Sequence, residues 1–276
     1  MIDAIIEDIA AAVPGEALGD YTGPDGLLYC GKCRTPKQSR VTILGAERIM
    51  PCICHCEAEA RRREDEQFHR WQREEAIKVL RQAAFPDLQH SDWRFETDDR
   101  KNPELSEALV RYAEKWDDMR RENLGLLLYG PVGTGKTFFA ACIANALIDR
   151  GIPALMTSFN RVVNTAMGMY EGRQEDLDRV AGIPLLILDD LGAERDSEYM
   201  QEQVYNIVDA RYRAGKPLIV TTNIDLEEIK NPRTQQYKRI YDRVLEMCHP
   251  VEVPGTSRRR AAVKENYLRR KRLLGL

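Results

Sequence analysis

No stretch of the 276-residue sequence reaches the roughly 18 consecutive apolar residues that a membrane-spanning helix requires. The N-terminus, Met1 to Val13, lacks the basic region of a secretory signal and carries Asp3, Glu7 and Asp8 instead. These absences lead us to expect a cytoplasmic protein with no membrane partner. A large charge of either sign is also missing: 41 basic residues face 44 acidic ones, for a formal net charge of -3. The chain is therefore no polycation, and any contact with nucleic acid has to come from local patches. We find no internal repeat and no low-complexity segment. What is present, 43% hydrophobic and 31% charged residues, provides for a sizeable globular core. The length suits one large domain plus a smaller module.

Seven cysteines in a small secreted chain would signal disulfides, but here five crowd between Cys30 and Cys56 with no export signal. Cys30-Gly31-Lys32-Cys33 is a C-x2-C knuckle, and Cys52-Ile53-Cys54-His55-Cys56 follows after eighteen residues. Tetrahedral Zn²⁺ needs four thiolate or imidazole ligands, and this spacing offers more than four. We expect Cys30 and Cys33 plus two of Cys52, Cys54 and Cys56, leaving one cysteine spare. Cys142 and Cys248, isolated in predicted helices, read as core residues. Residues 1–56, opening on a short amphipathic helix, form a unit too small to fold on apolar burial alone. Residues 57–84 are dense in Glu, Arg and Gln, with Phe68, Trp71, Ile77 and Leu80 spaced as a helical stripe, and read as a linker helix that Pro86 stops. Residues 85–276 make the large domain.

That domain alternates helices with short continuous apolar runs, Leu124 to Tyr129, Pro153 to Thr157, Leu185 to Asp189, Leu218 to Thr222 and Val251 to Val253. Such runs are buried parallel strands, so the fold class is α/β with a parallel sheet. Predicted helices cover Thr137 to Asp149, Asn160 to Tyr170, Glu198 to Arg213 and Gln235 to Cys248. Gly130-Pro131-Val132-Gly133-Thr134-Gly135-Lys136-Thr137 follows the first strand and opens a helix, the Walker A pattern of a P-loop. Its glycines let backbone N–H groups turn inward around the phosphates of ATP, at the positive end of the helix. Lys136 would reach the β and γ phosphates and the Thr137 hydroxyl would bind Mg²⁺. Leu185 to Asp190 is an apolar strand ending in two carboxylates, the Walker B arrangement. Asp189 would hold Mg²⁺, and Asp190 would orient or deprotonate the attacking water. Asp is one methylene shorter than the Glu common at the second position, which predicts slow hydrolysis. Asn223, after Thr221 and Thr222, fits a polar sensor beside the γ phosphate, the lesser alternative being a cap for the helix beginning near Asp225.

The P-loop, Leu188-Asp189-Asp190-Leu191-Gly192, Thr221-Thr222-Asn223, Arg239-Ile240-Tyr241-Asp242-Arg243-Val244 and Gly255-Thr256-Ser257-Arg258-Arg259 together resemble the AAA+ P-loop NTPase domain of the DnaC and DnaI type helicase loaders and the related IstB-type ATPases. The resemblance spans about residues 85 to 265. It implies that Arg243 is an arginine finger acting on ATP held by a neighbouring subunit, hence self-association into an ATP-dependent oligomer. Arg239, one helical turn earlier, shares its face and is the other candidate. Arg259 resembles the sensor 2 arginine, with Arg258 and Arg260 flanking it. Tyr170, Arg173, Ser197 and Tyr199 fall where loaders present an aromatic, a cation and a Ser to single-stranded DNA, which suits sequence-tolerant stacking. The C-terminal stretch, with Arg258, Arg259, Arg260, Lys264, Arg269, Arg270, Lys271 and Arg272 against Glu265, could meet DNA phosphates or remain a solvated face.

A closed zinc site makes a surface, not a second catalytic centre. Over residues 28 to 60 the layout resembles loaders whose zinc-bearing N-terminal domain grips a hexameric replicative helicase. The expectation is thus an ATP-dependent loader of a replicative helicase onto single-stranded DNA at the initiation of replication, with its ATPase slow and stimulated by partner or DNA. An IstB-type transposition helper shares the ATPase core, and a zinc-dependent nucleic-acid-binding scaffold with an ATP latch is the alternative from another class.

Overall fold

The computed structural model describes residues 19–85, 90–159, 161, 179–192, 198–232 and 234–275. The predicted N-terminal helix lies outside them, as does all but one residue of the helix predicted from Asn160 to Tyr170. The chain forms two compact units that divide between Glu74 and Glu75.

In the first unit, β1 (Tyr21–Thr22) pairs antiparallel with β2 (Leu28–Tyr29), and β3 (Gln38–Ile43) with β4 (Ala46–Pro51). The β3–β4 hairpin turns on Leu44 and Gly45, both left-handed at φ 52° and 80°. Two positive φ values in succession match the right-handed strand twist of a tight hairpin. Leucine is a poor residue for that conformation, which is why the sequence carries no hairpin signal here. Cys52 N donates to Lys37 O at 2.8 Å, so the hairpin returns the second cysteine group beside the first. Buried apolar side chains in this unit are few, chiefly Leu27, Leu28, Cys30 and Cys54.

Helix α1 (His55–Ala84) runs 30 residues and is laced by pairs such as Arg61–Glu57 at 3.0 Å. Its predicted stripe divides in two. Ile77 and Leu80 pack on the core of the second unit, whereas Phe68 and Trp71 stack on each other at 6.0 Å and remain 54% and 58% exposed.

The second unit continues with α2 (Pro103–Glu114), α3 (Trp116–Arg121), β5 (Gly125–Tyr129), α4 (Lys136–Asp149), β6 (Ala154–Ser158), β7 (Leu185–Leu191) and α5 (Glu198–Ala214). It closes with β8 (Leu218–Thr222), α6 (Leu226–Lys230), α7 (Gln235–Met247), β9 (Cys248–Glu252) and α8 (Arg258–Leu273). The five strands are parallel in the order β6-β7-β8-β5-β9. Leu127, Leu128, Leu185 to Leu188 and Leu218 to Val220 are fully buried, as strands covered on both faces must be. One face packs against Leu109, Trp116, Phe139 and Ile143, the other against Val204, Val208, Ile240 and Val244.

The largest shift from an expected boundary lies at Cys248. The helix predicted to reach Cys248 ends at Met247, and Cys248 starts a strand predicted only from Val251. The Cys248 side chain is buried, with Sγ 3.2 Å from Leu218 O, so packing on the neighbouring strand overrides the helical periodicity. Pro250 is tolerated because β9 is an edge strand, where a missing N–H can face away from the sheet.

Arg211 on α5 is 0% exposed and donates to four carbonyls, those of Ala181, Ile183, Pro184 and Pro217. These groups belong to the turns that enter β7 and β8. Burial draws its pKa down to about 10, which still leaves it charged at neutral pH. Arg211→Ala strands these acceptors in the interior and is expected to destabilise the protein by about 3–5 kcal/mol in urea unfolding. Arg211→Lys should recover only part of the loss, because an ammonium cannot reproduce the planar fork.

Candidate nucleotide site and thiol cluster

Strands β7, β8 and β5 are consecutive neighbours, so their C-terminal ends bring Asp189 and Asp190, Asn223 and the P-loop to one rim. There a cleft of ≈ 300 Å³ is lined by Trp93, Gly133, Lys136, Asp190, Asn223 and Arg258, among others. This is at the lower end of the size range of small-molecule sites. Lys136 is 4% exposed, its Nζ donating to Gly130 O at 2.9 Å and Pro131 O at 2.8 Å. The ammonium is held inside the loop, where phosphate oxygens can replace the two carbonyls.

Thr221 at the end of β8 organises the acidic strand. Its hydroxyl donates to Asp189 Oδ1 at 2.6 Å and accepts from Asp190 N at 3.0 Å. The β7–β8 register shifts between Leu188 and Leu191, and Asp190 takes a left-handed φ of 59°. A non-glycine residue held so costs on the order of 1–3 kcal/mol and persists where its surroundings enforce it. The consequence is that two successive carboxylates diverge: Asp189 is half-buried and Asp190 exposed to the cleft. Burial raises the Asp189 pKa; Thr221 opposes it, the Asp190 charge adds to it, and the Thr137 hydroxyl opposes it. Thr137 and Asp189 thus present adjoining hard oxygens, the donor set a Mg²⁺ ion takes.

Two further supports of the site come from outside the P-loop and the acidic strand. Asn145 on α4, 0% exposed, donates to His90 O at 2.9 Å and Trp93 O at 3.0 Å, which fixes Trp93 at the cleft beside Phe138. Arg258, the first residue of α8, donates its backbone N–H to Gly133 O at 2.9 Å. Gly133, at φ 83°, must be glycine here, since a Cβ would lie 2.3 Å from Ser257 Oγ. Arg258 therefore stands in the cleft; the side chain of Arg259 lies outside the described residues, as do Tyr170, Arg173, Ser197 and the side chain of Tyr199. Arg243 is bound within its own chain: its guanidinium lies 4.0 Å from the Tyr212 ring centre, 3.3 Å from Glu246 and 3.6 Å from Asp209. Arg239 is exposed and forms no salt bridge among the described residues.

In the first unit the Sγ atoms of Cys30, Cys33, Cys54 and Cys56 all lie within 4.8 Å of one another. Thiolates bound to one tetrahedral Zn²⁺ at about 2.3 Å stand roughly 3.8 Å apart, so this quartet fits such an ion. Cys52 is the spare, its Sγ 3.5 Å from Pro36 O, and the exposed His55 side chain faces Glu59 at 3.9 Å. Thr35 seats the quartet by accepting His55 N at 2.9 Å and meeting Cys33 Sγ at 3.1 Å. That hydroxyl, with the amides of Cys56 and Thr35, draws the Cys33 pKa down to about 5.

A parallel sheet in this order, with the P-loop on a central strand and paired acids two strands away, defines an ATP-binding domain of the AAA+ class. The sequence profile of the IstB-like ATP binding proteins matches residues 57–266, and the chain belongs to that family. It is 28% identical over 147 residues to the replicative helicase loader DnaI of Bacillus subtilis, covering 49% of this chain and 47% of that protein. It is 29% identical over 143 residues to the loader DnaC of Escherichia coli K12, covering 50% and 56%. The chain thus spans about half the length of these loaders. A putative ATP-binding protein in an insertion sequence of Mycobacterium tuberculosis is 27% identical over 188 residues, covering 66% and 70%. The fold matches a crystal structure of DnaI with TM-score 0.50 and 26% identity, over 60% of this chain and 90% of that one. It matches a DnaC helicase loader with TM-score 0.53 and 23% identity, over 60% and 99%, a likeness of fold. No helix among the described residues is long and apolar enough to cross a membrane.

Thr221→Val removes both bonds that separate the two acids. ATP turnover should fall about tenfold or more while nucleotide affinity changes little, read from kcat beside calorimetric binding.

Proposed function

We propose that this protein hydrolyses ATP to control the placement of a hexameric replicative helicase on single-stranded DNA. The observation that carries the reading is the four-thiol cluster on the same chain as the ATP cleft, ahead of the region shared with the family. Four convergent thiols suit structural Zn²⁺, and a closed site of that kind builds a surface for a protein partner. In the ATP cleft, Lys136 neutralises the phosphates, Thr137 and Asp189 hold Mg²⁺, Asp190 orients water, and Asn223 senses the γ phosphate. The ion supplies Lewis-acid stabilisation of the phosphates; the protein's part is to position its oxygens. Arg243 or Arg239 completes the site of a neighbouring subunit, and Arg259, or its neighbour Arg258 in the cleft, reads the nucleotide in its own chain. Of the two finger candidates, Arg239 is presented without rearrangement, whereas Arg243 must first leave Tyr212 and Glu246. Tyr170, Arg173, Ser197 and Tyr199 contact the DNA strand.

A second reading, a helper ATPase for a transposase, is favoured by the match to the insertion-sequence protein, which covers more of both chains than the loader matches do. Affinity capture with the full-length chain separates the two. Recovery of a replicative helicase, lost in Cys30→Ser/Cys33→Ser, supports the loader; recovery of a transposase sinks it. Metal analysis of the purified protein should give about one zinc per chain, retained in Cys52→Ser and lost in Cys54→Ser.

A further inference from the structure

Arg258 has two sets of neighbours. Toward the cleft its guanidinium lies against the P-loop, where a Cβ on Gly135 would sit 3.5 Å from Cζ. Away from the loop it faces two carboxylates, Asp98 Oδ1 at 3.5 Å from Nη1 and Asp99 Oδ1 at 3.0 Å from Nη2. Both acids follow a single 3₁₀ turn at Phe95–Thr97. The Asp98 side chain is only 1% exposed, and its other oxygen accepts from the Ser106 hydroxyl on α2. A carboxylate buried so completely requires a cation or several donors, and Arg258 is the cation recorded beside it. Asp99 also pairs with Lys101 at 3.0 Å. Burial works against ionisation of Asp99, yet Lys101 and Arg258 together hold its pKa below the usual carboxylate range.

A guanidinium between two carboxylates on one side and a phosphate loop on the other can serve either set of oxygens, since the same planar fork binds carboxylate and phosphate. We propose that Asp98 and Asp99 form a carboxylate counter-site that competes with the terminal phosphate of bound ATP for Arg258. In the nucleotide-free protein the acids hold the first turn of α8 to the segment 95–99. A γ phosphate draws the guanidinium across the loop, and Asp98 is left with the Ser106 hydroxyl and no cation. Release is therefore opposed by the buried charge, which makes the position of α8 depend on the presence of the third phosphate. ADP, which lacks that group, leaves the acids in possession. The inference rests on the cleft binding ATP, and it adds a pair of acids that lie upstream of the P-loop and outside the Walker A and Walker B segments.

The test is calorimetric titration of the full-length protein with MgATP and with MgADP. Asp99→Asn, at a partly exposed position, should tighten ATP about three- to fivefold with a smaller change for ADP. Asp98→Asn should act in the same direction. In an Arg258→Gln background the gain from Asp99→Asn should vanish, and thermal unfolding of Asp99→Asn checks that the fold is kept. Unchanged or weaker ATP binding in a folded Asp99→Asn variant overturns the counter-site, as does a gain that survives Arg258→Gln. Failure of the unaltered protein to bind ATP would instead overturn the nucleotide site itself.

Discussion

The hydroxyl of Thr221 links two strands and two carboxylate residues. By donating to Asp189 and accepting from the Asp190 amide, it converts the end of β7 from a continuing strand into a bulge with one acid inside and one in the cleft. An unbulged strand would turn alternate residues to opposite faces of the sheet, and only one of the two acids would address the nucleotide. At the other end of the same two strands, Arg211 gathers the carbonyls of the entering turns.

Much of this site was legible in the sequence because phosphate chemistry demands particular residues at fixed spacing. Gly130 to Thr137 had to follow a strand and open a helix, and they do so between β5 and α4. The strands were legible as largely apolar runs, since a sheet covered on both faces has room for few polar residues. The cysteines marked a candidate metal site by their number and spacing, but only folding set Cys52 apart from Cys54 and Cys56. Backbone bonding at the mouth of the hairpin decides that, and spacing does not encode it.

The less legible parts share a cause. Asn145, Thr221 and Arg258 act through contacts with backbone or with residues far away in the chain, and neither a motif nor a periodicity names the partners of such contacts. Asp98 and Asp99 belong to no motif, and only the fold brings Arg258 across 160 positions to Asp98. The hairpin at Leu44-Gly45 was hidden because leucine occupies a conformation usually advertised by asparagine or aspartate.

The three tryptophans occupy three different environments. Trp116 is 1% exposed in the core, Trp71 is more than half exposed on α1, and Trp93 lies on the wall of the nucleotide cleft, in contact with His90. The protein consequently carries its own optical reporters. Emission from Trp71 should respond to whatever covers the α1 surface, that of Trp93 to the base or phosphates entering the cleft, and Trp116 supplies a constant reference. Occupancy of the ATP site and occupancy of the helix can thus be followed in one unlabelled sample.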